Sequence, residues 1–260
     1  MKKKTNIIIF LLAIILTLPA FAQDTLSHEK VLPTGIFVSY GQGWYAVKDQ
    51  YISKEQYSGM MPYYNLEWLR FRNKKGYRLQ FEYRKSTDIS NHNITTDAQQ
   101  VSFSQDFIFA AGDFPVGSKN VYAFLGPSVQ VFYYELYYNF AQPGNYITPT
   151  TLGFLGSLGI NANLIYPLNK KLNLEGFLRS NILSITGKKI DDERYRDDQT
   201  PAFVSVISAS KIDFHLSVRY FLAKNVALSV AYKFDLSRIN KWDPYIAASN
   251  SALITVQVKL

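Results

Sequence analysis

From Gly35 onward the chain alternates apolar and polar side chains with a period of two, and it shows almost no 3.6-residue periodicity. Tyr77 to Arg84 is the clearest case. Tyr77, Leu79, Phe81 and Tyr83 share one face, while Arg78, Gln80, Glu82 and Arg84 share the other, because residues two apart in a strand point the same way. The same alternation recurs around Ile36–Trp44, Tyr63–Arg72, Val101–Phe109, Val121–Val131, Leu158–Leu164, Leu172–Ile182, Ile212–Tyr220, Val226–Phe234 and Ile254–Leu260, which makes about ten strands. In Tyr63–Arg72 the phase slips from Tyr64, Leu66 and Trp68 to Leu69 and Phe71. A β-bulge at Trp68–Leu69 would restore it and keep Glu67, Arg70 and Arg72 on the polar side. Gln105 and Glu135 fall on the apolar face.

Connections between these strands alternate in length. Short ones, Asn73–Gly76, Gly112–Asn120, Tyr166–Lys170 and Leu222–Lys224, are interleaved with long ones near Asp49–Pro62, Thr87–Asp97, Asn139–Thr151, Thr186–Ala202 and Ser237–Ser249. That alternation predicts an all-β, transmembrane, antiparallel up-and-down β-barrel with short periplasmic turns and longer extracellular loops. An even strand count puts both ends of the barrel on the periplasmic side. Aromatic residues fall where strands meet the interface: Tyr63, Tyr64, Tyr133, Tyr134, Tyr137 and Tyr138 outside, and Tyr77, Tyr122, Tyr166 and Tyr220 inside. The polar faces then converge in the lumen, where Glu67, Arg70, Arg72, Arg78, Glu82, Arg84, Asp106, Glu175, Arg179, Lys211, Asp213, Arg219, Lys233 and Asp235 form an ion-pair network, joined by Lys259. Buried charges persist only when paired, and a barrel of this size is filled by its own side chains, whereas an aqueous channel needs roughly 16–18 strands. A soluble sandwich explains neither the sign-balanced polar faces nor the alternating connections.

The N-terminus supplies the route to a membrane. Lys2, Lys3 and Lys4 precede an apolar stretch from Ile7 to Leu18, and Ala20-Phe21-Ala22 gives a small-x-small cleavage pattern. Residues 1–22 therefore read as a signal peptide with a mature start at Gln23, residues 23–34 as a periplasmic tail, and 35–260 as one barrel domain. Composition agrees: 18 Phe, 19 Tyr and 3 Trp stand against only 18% charged residues, below the ~25% of soluble domains. Of the formal charge of +8, three lysines belong to the leader. The absence of cysteine excludes a disulfide scaffold, a thiolate zinc site and a thiol nucleophile.

Over Gly35–Leu260 the chain resembles the small outer-membrane β-barrels of Gram-negative bacteria, and its last strand, Ile254 to Leu260, looks like the terminal strand that barrel-assembly machinery recognises. Members commonly end in Phe, where Leu260 stands here. The resemblance implies outer-membrane lipid and the assembly machinery as partners. Such barrels include adhesins, enzymes, channels and accessory subunits of envelope complexes, so function is to be argued from a site.

Candidate chemistry is thin. Only Asp213-x-His215-x-Ser217 aligns acid, base and nucleophile types on one face. Lipid A deacylases look similar through a His-x-Ser element, and omptin-like proteases through an Asp-x-His pair. The deacylase pattern adds an Asn where Val218 stands, and the Asp-x-Asp element of omptins does not occur. On a strand descending from about Phe203 to Phe221, His215 falls in the periplasmic half, away from an outer-leaflet lipid. The acidic and basic residues of Gly187–Thr200 lack EF-hand spacing and read as a solvated loop. No metal, cofactor or nucleic-acid partner is expected. The sequence supports a structural or interaction barrel that binds at the surface or serves an envelope complex. The alternatives are a hydrolase using Asp213, His215 and Ser217, and a narrow anion-preferring conduit eased by Gly41, Gly43, Gly126 and Gly159.

Overall fold

The structure is a computed structural model that describes residues 34–50, 54–91, 94–139, 150–191, 199–241 and 244–259. Residues 1–33, on which the expected signal peptide, most of the expected tail and His28 fall, lie outside the described residues, as do His92 and Leu260. Eleven strands follow one another with no helix among the described residues: β1 (Gly35–Asp49), β2 (Tyr57–Arg72), β3 (Lys75–Ser90), β4 (Thr95–Val116), β5 (Lys119–Asn139), β6 (Thr150–Asn169), β7 (Leu172–Asp191), β8 (Gln199–Ser205), β9 (Ala209–Ala223), β10 (Val226–Ile239) and β11 (Tyr245–Val258). Successive strands pair antiparallel from β1 to β7 and from β9 to β11, β7 pairs with β9 and β1 with β11, which closes a ten-strand wall with β8 as an extra piece beside β7. Closure leaves the ten-strand wall without an edge, as an all-strand structure in hydrocarbon requires.

The alternation fixes which face is which. Val38, Tyr40, Trp44, Leu66, Phe81, Phe103, Val131, Leu158, Phe214, Val230 and Ile254 are exposed, while Ser39, Arg78, Gln80, Glu82, Asp106, Gln130, Arg179, Asp213 and Lys233 are buried. The protein is therefore apolar outside and ionic inside. Short turns close one end at residues 73–74, 117–118, 170–171 and 224–225. Asn73 and Lys74 both have positive φ (52° and 66°), the geometry that a two-residue hairpin needs to match strand twist. Ile36 pairs with Val258 at that same end, so first and last strands begin and finish together. At the far end the strands continue into segments the sequence assigned to loops, leaving 91–94 and 240–244 as brief connections.

Three expectations are corrected. First, β2 runs past Trp68–Leu69 in unbroken register with β1 and β3. Without a bulge, Leu69 and Phe71 turn into the lumen and Arg70 and Arg72 stay exposed. Lys259, beyond the last paired residue, is also exposed. Second, the aromatic rows expected at the two interfaces divide. Tyr64 and Tyr137 are exposed, whereas Tyr63, Tyr134 and Tyr138 are buried inside, since consecutive residues of a strand cannot share a face. At the turn end, Tyr122 packs inward against Phe124's cluster. Third, the single strand expected from Phe203 to Phe221 is broken into β8 and β9 by a turn at residues 206–208.

Candidate functional site

The lumen is filled in layers, and its middle layer is one continuous chain of charges. Arg179 on β7 is its hub. Its Nε and Nη2 donate to the two carboxylate oxygens of Asp106 on β4 at 2.9 and 2.7 Å, Nη2 also reaches Gln80 Oε1 at 2.9 Å, and Nη1 reaches Asp213 Oδ2 at 3.1 Å. From Asp106 the chain continues to Arg78 (3.6 Å), whose Nε meets Glu67 at 3.0 Å and whose Nη2 donates to Asn163 at 2.9 Å. From Asp213 it continues to Lys211 at 2.7 Å, then to Asp235 at 3.7 Å. Asp235 is paired with Arg84 and, at 3.4 Å, with Lys233, which closes on Glu82. Glu82 accepts further hydrogen bonds from Tyr63 (2.9 Å) and Gln80 (2.8 Å), and Gln130 donates to Asp213 at 3.0 Å. Arg78 and Arg179 lie over the ring of Phe177, 4.6 and 4.9 Å from its centroid, and Arg84 lies over Tyr63 at 4.6 Å. With Ser249 of β11 bonded to Arg84, the network ties together every strand of the closed wall except β1.

Two further pairs flank this chain: Arg219 with Glu175 (2.7 Å) nearer the short turns, and Lys188 with Asp49 (2.5 Å) nearer the long connections. Arg70, Arg72 and Lys259 are on the exposed side, whereas Lys188 and Asp49, which alternation alone did not place in the lumen, are inside. Among the described residues each buried cation therefore has a buried anion: Arg78, Arg84, Arg179, Lys188, Lys211, Arg219 and Lys233 against Asp49, Glu67, Glu82, Asp106, Glu175, Asp213 and Asp235. With Arg70, Arg72 and Lys259 outside and Lys188 and Asp49 inside, these seven cations face seven anions. Neutrality is what a low-dielectric interior demands, since an unmatched charge there costs several kcal/mol.

An apolar cluster lies on either side of the charged layer. Toward the long connections, Tyr45, Tyr57, Phe132, Tyr134, Leu136, Tyr138 and Tyr245 form a buried cluster with Val47, Met61 and Leu155. Tyr134 and Tyr245 stack at 3.8 Å between centroids, Tyr57 meets Tyr138 edge-on at 5.3 Å, and Gln100 donates to the Tyr45 hydroxyl at 2.9 Å. Gly153 is the seat for Tyr134: a Cβ there would lie 2.2 Å from the ring. Toward the short turns, Phe37, Leu69, Phe71, Ile108, Phe124 and Ile165 form a second cluster. Between it and the charged layer lies a cavity of about 60 Å³, bordered by His215, Arg219 and Glu175.

Asp213, His215 and Ser217 take successive inward positions on β9, but they do not combine. Asp213 is committed to Lys211, Arg179 and Gln130, and His215 Nε2 has no hydrogen-bond partner. No hydrogen bond joins Asp213, His215 and Ser217 to one another, so these three side chains form no acid–base–nucleophile relay. In register, His215 sits between Lys233 and Phe177 instead.

Comparison with known proteins speaks to architecture. No family model matches the chain, and no curated protein matches it. Among solved structures, the translocator domain of the autotransporter NalP from Neisseria meningitidis superposes with a TM-score of 0.50 at 10% identity, over 89% of this chain and 91% of that one. The outer membrane protease OmpT from Escherichia coli gives 0.49 at 8% identity, over 91% and 99%. Neisserial surface protein A gives 0.36 at 13%, over 88% and 99%. The fold is that of an outer-membrane β-barrel.

Proposed function

We propose that the chain is an integral outer-membrane barrel with a sealed lumen, a structural or interaction protein that works through its outer rim and its lateral surface. One observation carries this reading: a neutral ion-pair layer tied to nearly every wall strand fills the middle of the lumen, with a cluster of packed rings and aliphatic side chains on either side of it. The lipid-facing side chains on the outside and the leader-like N-terminus, with a mature start at Gln23, support export and insertion. The glycines that would have eased a conduit do not widen one. A Cβ on Gly41, Gly126 or Gly159 would meet the backbone of the adjacent strand at 2.2, 1.9 and 2.2 Å.

Planar-bilayer recording tests the proposal. The purified chain should hold a bilayer at baseline, and steady unitary conductance would overturn the sealed-barrel reading. Fractionation tests insertion: the protein should leave the outer membrane only with detergent. Co-purification from native membranes tests the interaction role, with a stoichiometric envelope protein as the supporting result and a solitary chain as the opposing one. Replacing His215 and Ser217 should leave lipid A acylation and peptide cleavage unchanged.

A further inference from the structure

Most outward positions in the middle of the wall carry Val, Leu, Ile, Phe or Tyr, as contact with lipid requires. The seam between β1 and β11 departs from this. Gln42 and Asn250 are both exposed there, near the middle of their strands, with their carboxamides toward hydrocarbon. An amide group left unpaired in such a place is costly, and each of these two is only half paired. Gln42 Nε2 donates to the Tyr40 hydroxyl at 3.3 Å, and the Tyr232 hydroxyl donates to Asn250 Oδ1. Among the described residues neither side chain makes another hydrogen bond. Gln42 therefore keeps an unused acceptor, Oε1, and Asn250 an unused donor, Nδ2.

The register sets where these two groups stand. Gln42 pairs with Ala252 and Trp44 with Asn250, so the two amides are diagonal neighbours across the seam. Barrel strands tilt by ~35–45°. Pairings traced from the turn end of β1 through β2 and on around the wall return to β1 nearer its rim end. The line of paired residues thus climbs from β11 to β1, which lifts Gln42 above Ala252 and brings it nearly level with Asn250. Trp44 on the rim side and Ala252 on the turn side, both outward, mark the midline between the amides. An acceptor and a donor at one height on either side of a line are self-complementary. A second barrel, inserted the same way and turned by half a revolution about the membrane normal, sets its Asn250 against Gln42 and its Gln42 against Asn250. Facing sheets stand ~10 Å apart, a gap that one Gln and one Asn side chain span together. Gln105, also on the outward face, has no such counterpart, since its paired neighbours are Leu79 and Val129.

We propose that the β1–β11 seam is a homodimer interface within the bilayer, closed by two symmetric hydrogen bonds from Asn250 Nδ2 of one copy to Gln42 Oε1 of the other. The inference rests on the membrane reading above and names a second copy of this chain as the partner of its lateral surface. Because the chain has no cysteine, one introduced thiol reports on one place. Ala252→Cys, on the two-fold line, should give a disulfide-linked dimer when outer membranes of expressing cells are oxidised with copper phenanthroline. Val129→Cys, on the outward face of β5, should stay monomeric under the same treatment. In detergent micelles, sedimentation equilibrium of the full chain should show Gln42→Leu and Asn250→Leu each weakening the dimer about tenfold, because each removes two hydrogen bonds per dimer. Leu suits a lipid-facing position, so both variants should keep the heat-modifiable gel mobility of a folded barrel. Gln105→Leu should dimerise like wild type. A wild-type chain that stays monomeric, equal cross-linking through Val129→Cys and Ala252→Cys, linkage of Ala252→Cys to a different protein only, or an undiminished dimer in Gln42→Leu would each overturn the proposal. A chain that stays monodisperse without detergent would instead remove the membrane reading beneath it.

Discussion

The charged layer and the tyrosine cluster fill the same lumen by opposite means. In the charged layer each group is held by partners on other strands, so Arg179 alone joins β3, β4 and β9 to β7. In the tyrosine cluster the contacts are between rings, Tyr134 stacked on Tyr245 and Tyr57 edge-on to Tyr138, and the Tyr134 hydroxyl has no hydrogen-bond partner. A salt-bridge layer specifies register, because moving a strand by one residue would turn its charges into lipid. A ring cluster specifies volume, because it needs a seat for each ring and tolerates exchange of polar atoms. The difference predicts three responses to mutation, in descending size.

The largest effect is expected in the charged layer. Arg179→Met keeps the bulk and removes the charge, leaving Asp106 and Asp213 without their shared partner inside the lumen. The cost should be ~3–5 kcal/mol in urea unfolding from detergent micelles, as for other broken buried pairs. Adding Asp106→Asn should recover part of it, since one stranded carboxylate is then gone. If Arg179→Met unfolds with the midpoint of wild type, the layer is ornamental and the comparison fails.

How much of this could be read from residues alone follows the same division. Arg78, Glu82, Arg84, Asp106, Arg179, Lys211, Asp213, Lys233 and Asp235 each stand at an unbroken period-two position, so alternation placed them on one face without reference to any contact. Arg70 and Arg72 depart from the expectation because Leu69 and Phe71, apolar as they are, face the lumen. The lumen end beside them is itself apolar, so a change of phase in sequence marked a change of lumen chemistry and not a bulge. Tyr133-Tyr134 and Tyr137-Tyr138 carried the missed signal for the ring cluster: in any strand one of two consecutive rings must face inward. The break between β8 and β9 was harder to see, because Val206 and Ile207 look like strand residues to any propensity scale. Only the register with β7 exposes it.

An intermediate effect is expected where the ring cluster meets the backbone. Gly153→Ala puts a methyl group into the Tyr134 ring, and overpacking of this kind costs about 1–3 kcal/mol. The cost should shrink when Tyr134 is also replaced by Val, because the ring that occupies the seat is then absent. Additive losses in the double variant would mean that Gly153 is required by the strand and not by the ring.

The smallest effect separates the two regions most sharply. Tyr134→Phe removes only a hydroxyl, and that hydroxyl is buried without a hydrogen-bond partner. Removing a buried polar atom that has no partner relieves desolvation and leaves ring stacking on Tyr245 intact, so stability should hold or rise by up to ~1 kcal/mol. The matched deletion at the edge of the charged layer, Tyr63→Phe, takes a 2.9 Å hydrogen bond from Glu82 and should cost about 1–2 kcal/mol. Unfolding both single variants against wild type in the same detergent therefore yields opposite signs for one chemical change. Equal losses at Tyr134 and Tyr63 would mean that the outer cluster is held by its hydroxyls after all, and the lumen would then be one polar network from end to end.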